Sequence, residues 1–305
     1  MFELIFLGTS ASAPSIRRNL AANVVLHKEY RFLIDCGEGT QRQLLRSGLG
    51  FKRLDKILLT HGHLDHILGL GGLVSTFSRW EAITKFEIYG GSWALERVSA
   101  LIFGVVFRGV KPPLQIDLIP IEPGVLMEDD TFELSAFAVT HRGPGCLGYT
   151  FREKEKRPFL VEKAEALGVP AGPERGRLVR GETVTLADGT VVHPDQVLGP
   201  SVPGAKLVFV GDAARTNNLL EVASNADALV IESTYLSQEE ELAREYGHLT
   251  AAQAATLARQ AGVRQLYLTH ISRRYSAEAI LAEARTIFPQ TVVARDLDHF
   301  RIIKE

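Results

Sequence analysis

Apolar and polar positions along the chain follow two periods. Short apolar, β-branched runs of strand length alternate with longer stretches in which apolar residues recur at helical spacing. The first half contains predicted strands at Phe2–Leu7, Asn23–His27, Arg31–Asp35, Lys56–Leu59, Phe86–Tyr89, Gln115–Ile119 and Phe132–Val139, and predicted helices at Thr40–Ser47, Leu64–Ser78 and Trp93–Phe107. The second half alternates strands at Lys206–Val210, Ala228–Ile231, Gln265–Leu268 and Val292–Ala294 with helices at Leu219–Ser224, Thr250–Ala261 and Ala277–Phe288. This order is typical of an α/β fold in which two sheets pack face to face with helices outside.

Between the two halves, residues 152–202 show neither the strand-length apolar runs nor the long helical spacing of the rest of the chain. This segment, which we call the arm, opens with the charge run Arg152–Arg157 and is interrupted by prolines at 158, 170, 173, 194 and 200. Its predicted elements are a short helix at Val161–Leu167 and a hairpin at Thr183–His193. Long insertions in compact domains are usually functional or disordered, and this one has more apolar residues than a solvated linker needs. We therefore predict that the arm is structured and projects from the body.

The composition is that of a globular protein. The 305 residues are 46% hydrophobic, which suffices for one large core or two fused halves. No apolar run approaches the roughly 20 residues of a membrane span, and Met1–Leu4 leads directly into a strand instead of a signal peptide. Cys36 and Cys146 are too few for a disulfide framework and are expected to be buried thiols. These features predict a cytoplasmic protein that does not bind a membrane.

The strongest candidate chemistry lies in the segment Thr60-His61-Gly62-His63-Leu64-Asp65-His66, directly after the apolar run Ile57–Leu59. Imidazole nitrogens and carboxylate oxygens are ligands that suit zinc and its neighbours. Alternate side chains of an extended loop point the same way, so His61 and His63 can bind one metal ion. Asp65 and His66 fall on the following turn and can reach a second ion. The segment therefore predicts a metal site.

Three further strands end in a possible ligand. Phe132–Thr140 is followed by His141, the apolar run Lys206–Val210 by Gly211 and Asp212, and Gln265–Thr269 by His270. Residues at strand ends face the crevice in which layered α/β proteins bind ligands. A single strand-end Asp is as often a helix cap, and a single strand-end His is as often structural. In combination with the segment at His61, they favour a metal site.

These motifs resemble the metallo-β-lactamase superfamily and, within it, the ribonuclease Z family that trims the 3′ ends of tRNA precursors. The family resemblance rests on Phe6-Leu7-Gly8-Thr9, Pro14-Ser15-Ile16-Arg17-Arg18-Asn19, Leu33-Ile34-Asp35-Cys36-Gly37-Glu38-Gly39-Thr40-Gln41, Gly247-His248-Leu249-Thr250 and Thr269-His270-Ile271-Ser272-Arg273-Arg274-Tyr275. It covers essentially the whole chain. It implies one four-layer αββα domain spanning residues 1–305, with the arm inserted. Leu64, Gly71 and Ala213 depart from the family pattern, which bears on the substrate fit near them.

The resemblance also implies a reaction. The expected ligand set is His61, His63 and His141 on one zinc ion, Asp65, His66 and His270 on the other, and Asp212 bridging both. A hydroxide between two cations is a nucleophile at neutral pH, and Asp65 is placed to orient the attacking water. The family's equivalent of His248 acts as the general acid that protonates the leaving oxygen of the tRNA. The alternative for His248 is a cap at the start of the helix Thr250–Ala261.

A formal net charge of −2 is unusual for a nucleic-acid enzyme, but a specific RNA enzyme needs only a local basic surface. Arg17–Arg18, Arg42 with Arg46, Lys52–Arg53 and Arg273–Arg274 are candidates, although a solvated surface explains most of them equally well. Arg18 and Arg274 lie in family-matching segments, so we expect them to contact the substrate phosphates.

In the family, the arm is an exosite that binds precursor tRNA from the other subunit of a homodimer. Gly172 and Pro173 are the candidate contacts in this chain. Two other function classes compete with this interpretation. A small-molecule metallo-hydrolase, such as a phosphodiesterase or thioesterase, shares the metal ligands but does not require the arm. A metal-binding subunit without catalysis is expected to have lost ligands or His248, and the sequence retains all of them.

Overall fold

A computed structural model describes residues 1–79 and 83–304. Its strands are β1 Phe2–Gly8, β2 Ala22–His27, β3 Tyr30–Ile34, β4 Lys56–Leu58, β5 Lys85–Gly90, β6 Gln115–Pro120, β7 Gly124–Glu128, β8 Phe132–Ala138, β9 Leu147–Glu153, β10 Val184–Thr185, β11 Val191–Val192, β12 Lys206–Phe209, β13 Ala228–Glu232, β14 Gln265–Thr269, β15 Thr291–Val293 and β16 His299–Ile302. Its α-helices are α1 Thr40–Arg46, α2 Leu64–Ile67, α3 Gly69–Phe77, α4 Ser92–Leu101, α5 Val161–Ala166, α6 Pro173–Val179, α7 Pro194–Val197, α8 Leu220–Ala223, α9 Glu240–Tyr246, α10 Ala251–Gln260 and α11 Ala277–Ile287.

By contact density the chain forms two compact units, which are Met1–Arg152 with Ala205–Glu305, and Glu153–Gly204. The larger unit contains two seven-stranded sheets, ordered β16-β1-β2-β3-β4-β5-β6 and β15-β14-β13-β12-β9-β8-β7. In the first sheet β3 to β6 are parallel, and in the second β12 to β15 are parallel. The two sheets thus repeat one pattern, in which an antiparallel part continues into a parallel part. Among the described residues, no helix has the length and apolar character that crossing a bilayer requires.

Alternating side chains of the strands supply the three layers of core. In β1, Phe2, Leu4 and Phe6 pack between the two sheets, whereas Ile5 and Leu7 face the helices. Both faces of these strands are buried, which explains why they are apolar almost throughout. The sheets meet through aromatic pairs such as Phe32 with Phe151, whose ring centroids are 5.5 Å apart. Helices α1, α3 and α4 cover the first sheet, and α8, α10 and α11 cover the second, so the layers are αββα.

Most predicted strands and helices are confirmed, but two helices were wrong in extent. The predicted helix Leu64–Ser78 is divided into α2 and α3 at Leu68. Gly69 N donates to Cys36 O at 2.8 Å, and a Cβ on Gly69 would lie 2.1 Å from Gly37 O, so the helix start is held against the loop after β3. The predicted helix Trp93–Phe107 leaves the α conformation at Leu101 and continues as a π-helical turn, Ile102–Val106.

Outside the arm, the sequence pattern missed β7, β9, β16 and α9, and within the arm it missed α6 and α7. Edge strands β7 and β16 are partly exposed, so their composition is not clearly apolar. Central strand β9 is buried but contains Gly148, which weakens the strand pattern. The glycine is needed there because a Cβ would lie 2.3 Å from the Phe137 ring.

The unit Glu153–Gly204 has its own small core, formed by Ala164, Val169, Leu178, Val184, Val192 and Val197. It contains the predicted short helix, as α5, and the predicted hairpin, as β10 and β11. Gly172 is the N-cap of α6, and Pro173 is its first residue, a position that suits proline. Arg175 Nη2 donates to Val169 O at 3.1 Å, and its guanidinium lies 5.8 Å from the Phe159 ring centroid. These contacts fix the loop before α6.

Candidate metal centre

The side chains that the sequence predicts as ligands meet at one site. They are His61, His63, Asp65, His66, His141, Asp212 and His270. Five of them follow strands, and three of those strands, β4, β12 and β14, belong to the parallel parts of the sheets. The carboxyl ends of parallel strands form the crevice in which α/β folds bind ligands. Asp65 and His66 lie in α2, which begins right after His63.

The Asp212 carboxylate lies between two sets of imidazoles. Its Oδ2 is 3.8 Å from His61 Nε2 and 3.9 Å from His141 Nε2. The same oxygen is 3.4 Å from His66 Nε2 and 3.1 Å from His270 Nε2. One carboxylate oxygen therefore approaches nitrogens of both sets, as a bridging ligand must.

The ligand atoms form two groups, each with all its atoms within 4.8 Å of one another. The groups are His61, His63, His141 and Asp212, and Asp65, His66 and His270. A similar grouping joins His248 to Asp212 and His270. His248 Nδ1 is bound to a buried carboxylate, Glu232.

Several atoms at the centre are buried without a hydrogen bond. Among the described residues these include His66 Nε2, His270 Nδ1 and Nε2, and Asp212 Oδ1. A buried polar group without a partner is costly. Three of these atoms are imidazole nitrogens and one is a carboxylate oxygen. Both kinds of atom are ligands of divalent cations. The residues present therefore fit a divalent metal site.

His61 and His63 are held in the neutral form that binds metal, whereas the pKa of His66 is raised well above its ordinary value because Asp212 and Asp35 outweigh the effect of burial. Burial and the neighbouring His141 lower the pKa of His63 to about 4. Burial and His66 lower the pKa of His61 well below its ordinary value. Although burial opposes it, His270 and His66 keep the pKa of Asp212 well below the usual carboxyl range. His61, His63 and Asp212 therefore need no deprotonation to bind a metal, whereas metal binding at His66 releases a proton.

A second layer of groups orients these ligands. The Asp35 carboxylate accepts from His66 Nδ1 at 2.7 Å and from Thr60 N and Oγ1, both at 2.8 Å. His141 Nδ1 donates to Gly247 O at 2.7 Å. In both imidazoles the proton is on Nδ1, so the Nε2 lone pair faces the centre. The sequence did not indicate a role for Asp35. Asp35 nevertheless follows directly after an apolar strand, β3, which is the pattern that identified Asp212.

His248 lies beside the centre in a hydrogen-bonded pair with Glu232. Its Nδ1 is 2.9 Å from Glu232 Oε1, and the carboxylate also accepts from Ala213 N at 2.8 Å and from Thr234 Oγ1. Burial lowers the pKa of His248, but the Glu232 carboxylate outweighs it and raises the pKa to about 9. The cap of α10 is Thr250, so the alternative role of His248 as that cap is wrong. Glu232, the last residue of β13, was missed by the sequence analysis.

A cleft of about 500 Å³ opens over the centre and is lined by Asp65, His63, His248 and Arg274, among others. Arg274 is 56% exposed at its side chain and donates from Nη1 to Glu239 Oε1 at 2.9 Å. Arg97 also lines the cleft, donates to Gly62 O at 2.9 Å and lies over the Trp93 ring. The Trp93 ring in turn lies perpendicular to the His63 ring, with ring centroids 5.6 Å apart. The sequence did not predict a functional role for Arg97 or Trp93, because two residues four positions apart are typical of any helix face.

Arg18 is turned inward. Its Nη1 donates to Thr9 Oγ1 and to Ala294 O, both at 2.6 Å. Contact between Arg18 and a substrate stays a prediction, and these bonds show that the side chain fixes the loop to the sheet. Gly172 and Pro173 belong to the other compact unit, Glu153–Gly204, and their contact with a substrate stays a prediction.

The three residues that depart from the family pattern have different surroundings. Leu64 is 48% exposed and lines the cleft. A Cβ on Gly71 would meet Leu101 at an ordinary 3.5 Å. Ala213 is buried and contributes the backbone N–H that binds Glu232. Leu64 is therefore the departure that can touch a substrate directly.

Comparison with solved structures supports the fold. Human tRNase Z, short form, has 25% sequence identity and a TM-score of 0.68, covering 98% of this chain and 99% of that one. The metallo-β-lactamase fold protein YhfI from Bacillus subtilis has 18% identity and a TM-score of 0.70, covering 98% of each chain. A family model for the beta-lactamase superfamily domain matches residues 188–271, and one for the anti-Pycsar protein Apyc1 matches residues 2–105. The four layers and the His/Asp site make this a metallo-β-lactamase-fold protein with a divalent metal site.

Curated relatives identify the family. A protein named Ribonuclease Z from Bradyrhizobium diazoefficiens is 46% identical, over 98% of this chain and 99% of that protein. Another of the same name from Archaeoglobus fulgidus is 39% identical, over 97% of this chain and 96% of that protein. The chain belongs to the ribonuclease Z family.

Proposed function

We propose that this protein is a metal-dependent endoribonuclease that removes the 3′ trailer from precursor tRNA and leaves a 3′-hydroxyl on the tRNA. The observation that carries the proposal is that Asp212 Oδ2 approaches imidazoles of both ligand groups, in a chain that belongs to the ribonuclease Z family. A buried carboxylate between two sets of imidazoles suits hydrolysis of a phosphodiester, because both the nucleophile and the phosphate can be held there.

We assign the site to two zinc ions, of which His61, His63 and His141 would hold the first and Asp65, His66 and His270 the second, with Asp212 as a ligand that both could use. When bound, such cations supply Lewis acidity that lowers the pKa of a water to about 7 and neutralises charge on the phosphate. Asp35 and Gly247 O fix two of the imidazoles in the orientation that this requires.

The reaction also depends on two groups of the chain that handle protons. Asp65 Oδ2 accepts from Ser12 N at 3.0 Å, which fixes its carboxylate at the edge of the cleft, where it orients the attacking water. His248 donates a proton to the leaving 3′-oxygen of the tRNA. Glu232 keeps that proton available at neutral pH because its charge raises the pKa of His248.

Substrate binding is assigned to the cleft and to the arm. Arg274 is exposed in the cleft beside Asp65 and His248, where its free nitrogens can bind a phosphate. We assign Arg18 to holding the neighbouring loop in place. Gly172 and Pro173 begin α6 in the arm and are assigned to tRNA contact at a distance from the scissile bond. The expected assembly is a homodimer in the cytoplasm.

The test is cleavage of a precursor tRNA that carries a 3′ trailer, followed by mapping of both product ends. We expect a tRNA ending in a 3′-hydroxyl and a trailer beginning with a 5′-phosphate. Intact precursor together with rapid hydrolysis of bis(4-nitrophenyl) phosphate would contradict the proposal and favour the small-molecule hydrolase. Light scattering of the purified protein tests the dimer, and a monomer mass at assay concentration would overturn it.

A further inference from the structure

Two further depressions continue from the catalytic cleft over the surface of the larger unit. The first, of about 790 Å³, shares Ser272 and Arg273 with the cleft. The second, of about 490 Å³, shares the segment Ser15–Arg18 with the first. The three therefore form one continuous path, and none of the proposed metal ligands lines its two outer parts.

Arginines line the outer parts of this path. Besides Arg18, whose guanidinium is bound to Thr9 and Ala294, they are Arg17, Arg42, Arg46, Arg273 and Arg295, and we call the surface that these five form the arginine groove. All five are exposed, and among the described residues none has a carboxylate within ion-pair distance. The acidic groups that line the same surface are Glu38, Glu278 and Asp296.

None of these acidic groups forms an ion pair with the five arginines, although the pKa of Glu278, lowered first by hydrogen bonds to its own backbone N–H and to Ser276, is lowered further by the nearby charges of Arg295 and Arg17. The Asp296 carboxylate is already bound to Thr9 Oγ1, Asn19 N and Gln43 Nε2. In the arm, by contrast, Arg177 and Arg180 are both paired with Glu182. Unpaired arginines grouped along a path are the feature that binds a nucleic-acid backbone.

An apolar side chain stands in the middle of the groove. Ile16 is fully exposed and lines both outer depressions. An exposed isoleucine between arginines has no packing role in the described chain, but it suits contact with an unstacked base. Apolar and aromatic surfaces within a basic groove are typical of single-strand binding.

The path leaves the cleft at Ser272 and Arg273, the two residues that line both the cleft and the first outer depression. Ser12 N binds Asp65 Oδ2, and the same loop continues through Ser15–Arg18 into the outer depressions. His248 is instead bordered by Thr234 and Tyr235. The group that protonates the leaving 3′-oxygen must face the tRNA, and the strand beyond the scissile phosphate must leave by another side.

Resting on the proposed function, we propose that the arginine groove binds the single-stranded 3′ trailer of the precursor as it leaves the catalytic cleft. The trailer's phosphates meet the arginines, and Ile16 contacts one of its bases. The tRNA body lies on the side of His248 and does not use the groove.

The test compares R42Q/R46Q with a matched control, R259Q/R301Q. Arg42 and Arg46 are exposed in α1, and the control removes the same charge at exposed positions outside all three depressions. The probe is a 5′-phosphorylated, fluorescent eight-nucleotide RNA, which mimics the released trailer. We expect R42Q/R46Q to raise its Kd about tenfold and to reduce the slope of log K against log salt by about 1.4, since each single-strand contact contributes about 0.7. The control variant should match the wild type.

A second measurement separates the trailer from the tRNA body. Precursors with trailers of one and eight nucleotides are compared, and the ratio of kcat/KM for the long over the short trailer should fall about tenfold in R42Q/R46Q. An equal loss of kcat/KM on both precursors, or an unchanged Kd and salt slope for the trailer RNA, would overturn the proposal that the arginine groove binds the trailer. The binding assay needs no cleavage, so a wild type that binds the RNA in an arginine-dependent way but leaves precursor intact refutes the proposed function alone.

Discussion

Asp212 is the residue on which both groups of ligands depend. It is buried, and its Oδ2 approaches four imidazoles that arrive from separate strands and from α2. Removing it takes away the negative charge that lies nearest to all four nitrogens and that would compensate bound cations.

We therefore expect Asp212→Ala to lose most of its bound metal and to lower kcat/KM for precursor tRNA by at least about 10²-fold. Metal content by mass spectrometry, measured beside activity, checks this. Circular dichroism serves as the control for folding. A variant that keeps two equivalents of zinc would show that Asp212 does not bridge.

His248 makes a separate prediction because it lies outside the assigned ligand set. We expect His248→Ala to keep its metal and to slow single-turnover cleavage by roughly 10²-fold or more, the usual effect of a lost general acid. Loss of metal in this variant would mean that His248 is a ligand, as its distance to Asp212 and His270 allows.

Glu232 sets the pH range in which His248 can act. A general acid works while it is protonated, so its contribution is present below its pKa and is lost as pH rises through it. Glu232 raises that pKa to about 9 against the effect of burial. In Glu232→Gln the pKa of His248 should fall, so His248 should lose its proton at a lower pH than in the wild type. The single-turnover rate of the variant relative to the wild type should therefore be lower at pH 8 than at pH 6. Superimposable pH profiles of single-turnover rate would contradict this role.

The sequence predicted individual ligands better than it predicted their partners. His61, Asp212 and His270 each follow an apolar strand, and that local pattern is enough to find them. Glu232 follows the same rule, but its importance depends on His248, which arrives from the loop after α9. The inward orientation of Arg18 depends on Thr9 and on Ala294, which is 276 residues away, so no local pattern contains it.

At the scale of elements, helix ends place the catalytic side chains. Gly247 ends α9 in the left-handed conformation at φ 72°, and Thr250 caps α10 three residues later. His248 is therefore held in a short connection between two fixed ends. The division of α2 from α3 at Leu68 has a similar local cause at Gly69, which depends on the distant loop at Cys36 and was not predictable from spacing.

The cap at Thr250 can be tested by its effect on stability. Thr250 Oγ1 accepts from Gln253 N at 3.2 Å, and Gln253 Oε1 accepts from Thr250 N at 2.9 Å. We expect Thr250→Ala to lower the free energy of unfolding by about 1 kcal/mol relative to Thr250→Ser, which keeps the hydroxyl. Urea denaturation of both variants measures the difference. Equal midpoints for the two would mean that the cap contributes nothing.

At the scale of the whole molecule, the sheets are continuous across the point where the arm is inserted. Arg152 at the end of β9 is paired with Lys206 at the start of β12, in antiparallel register. The inserted segment therefore begins and ends at neighbouring positions of one sheet. Two antiparallel strands can be joined there by a short turn without changing their register.

This topology permits the experiment that separates tRNA processing from general phosphodiester hydrolysis. We replace Glu153–Gly204 with an Asn-Gly turn, which removes none of the assigned metal ligands. The variant should retain its metal and should hydrolyse bis(4-nitrophenyl) phosphate within about twofold of the wild type. Its kcat/KM for precursor tRNA should fall by roughly 10²-fold or more, because remote contacts that position a large substrate contribute several kcal/mol. The loss should fall mainly on KM, since the groups that act on the phosphate remain in place. Undiminished cleavage of precursor tRNA would show that the arm is not an exosite and would favour the alternative function as a small-molecule hydrolase.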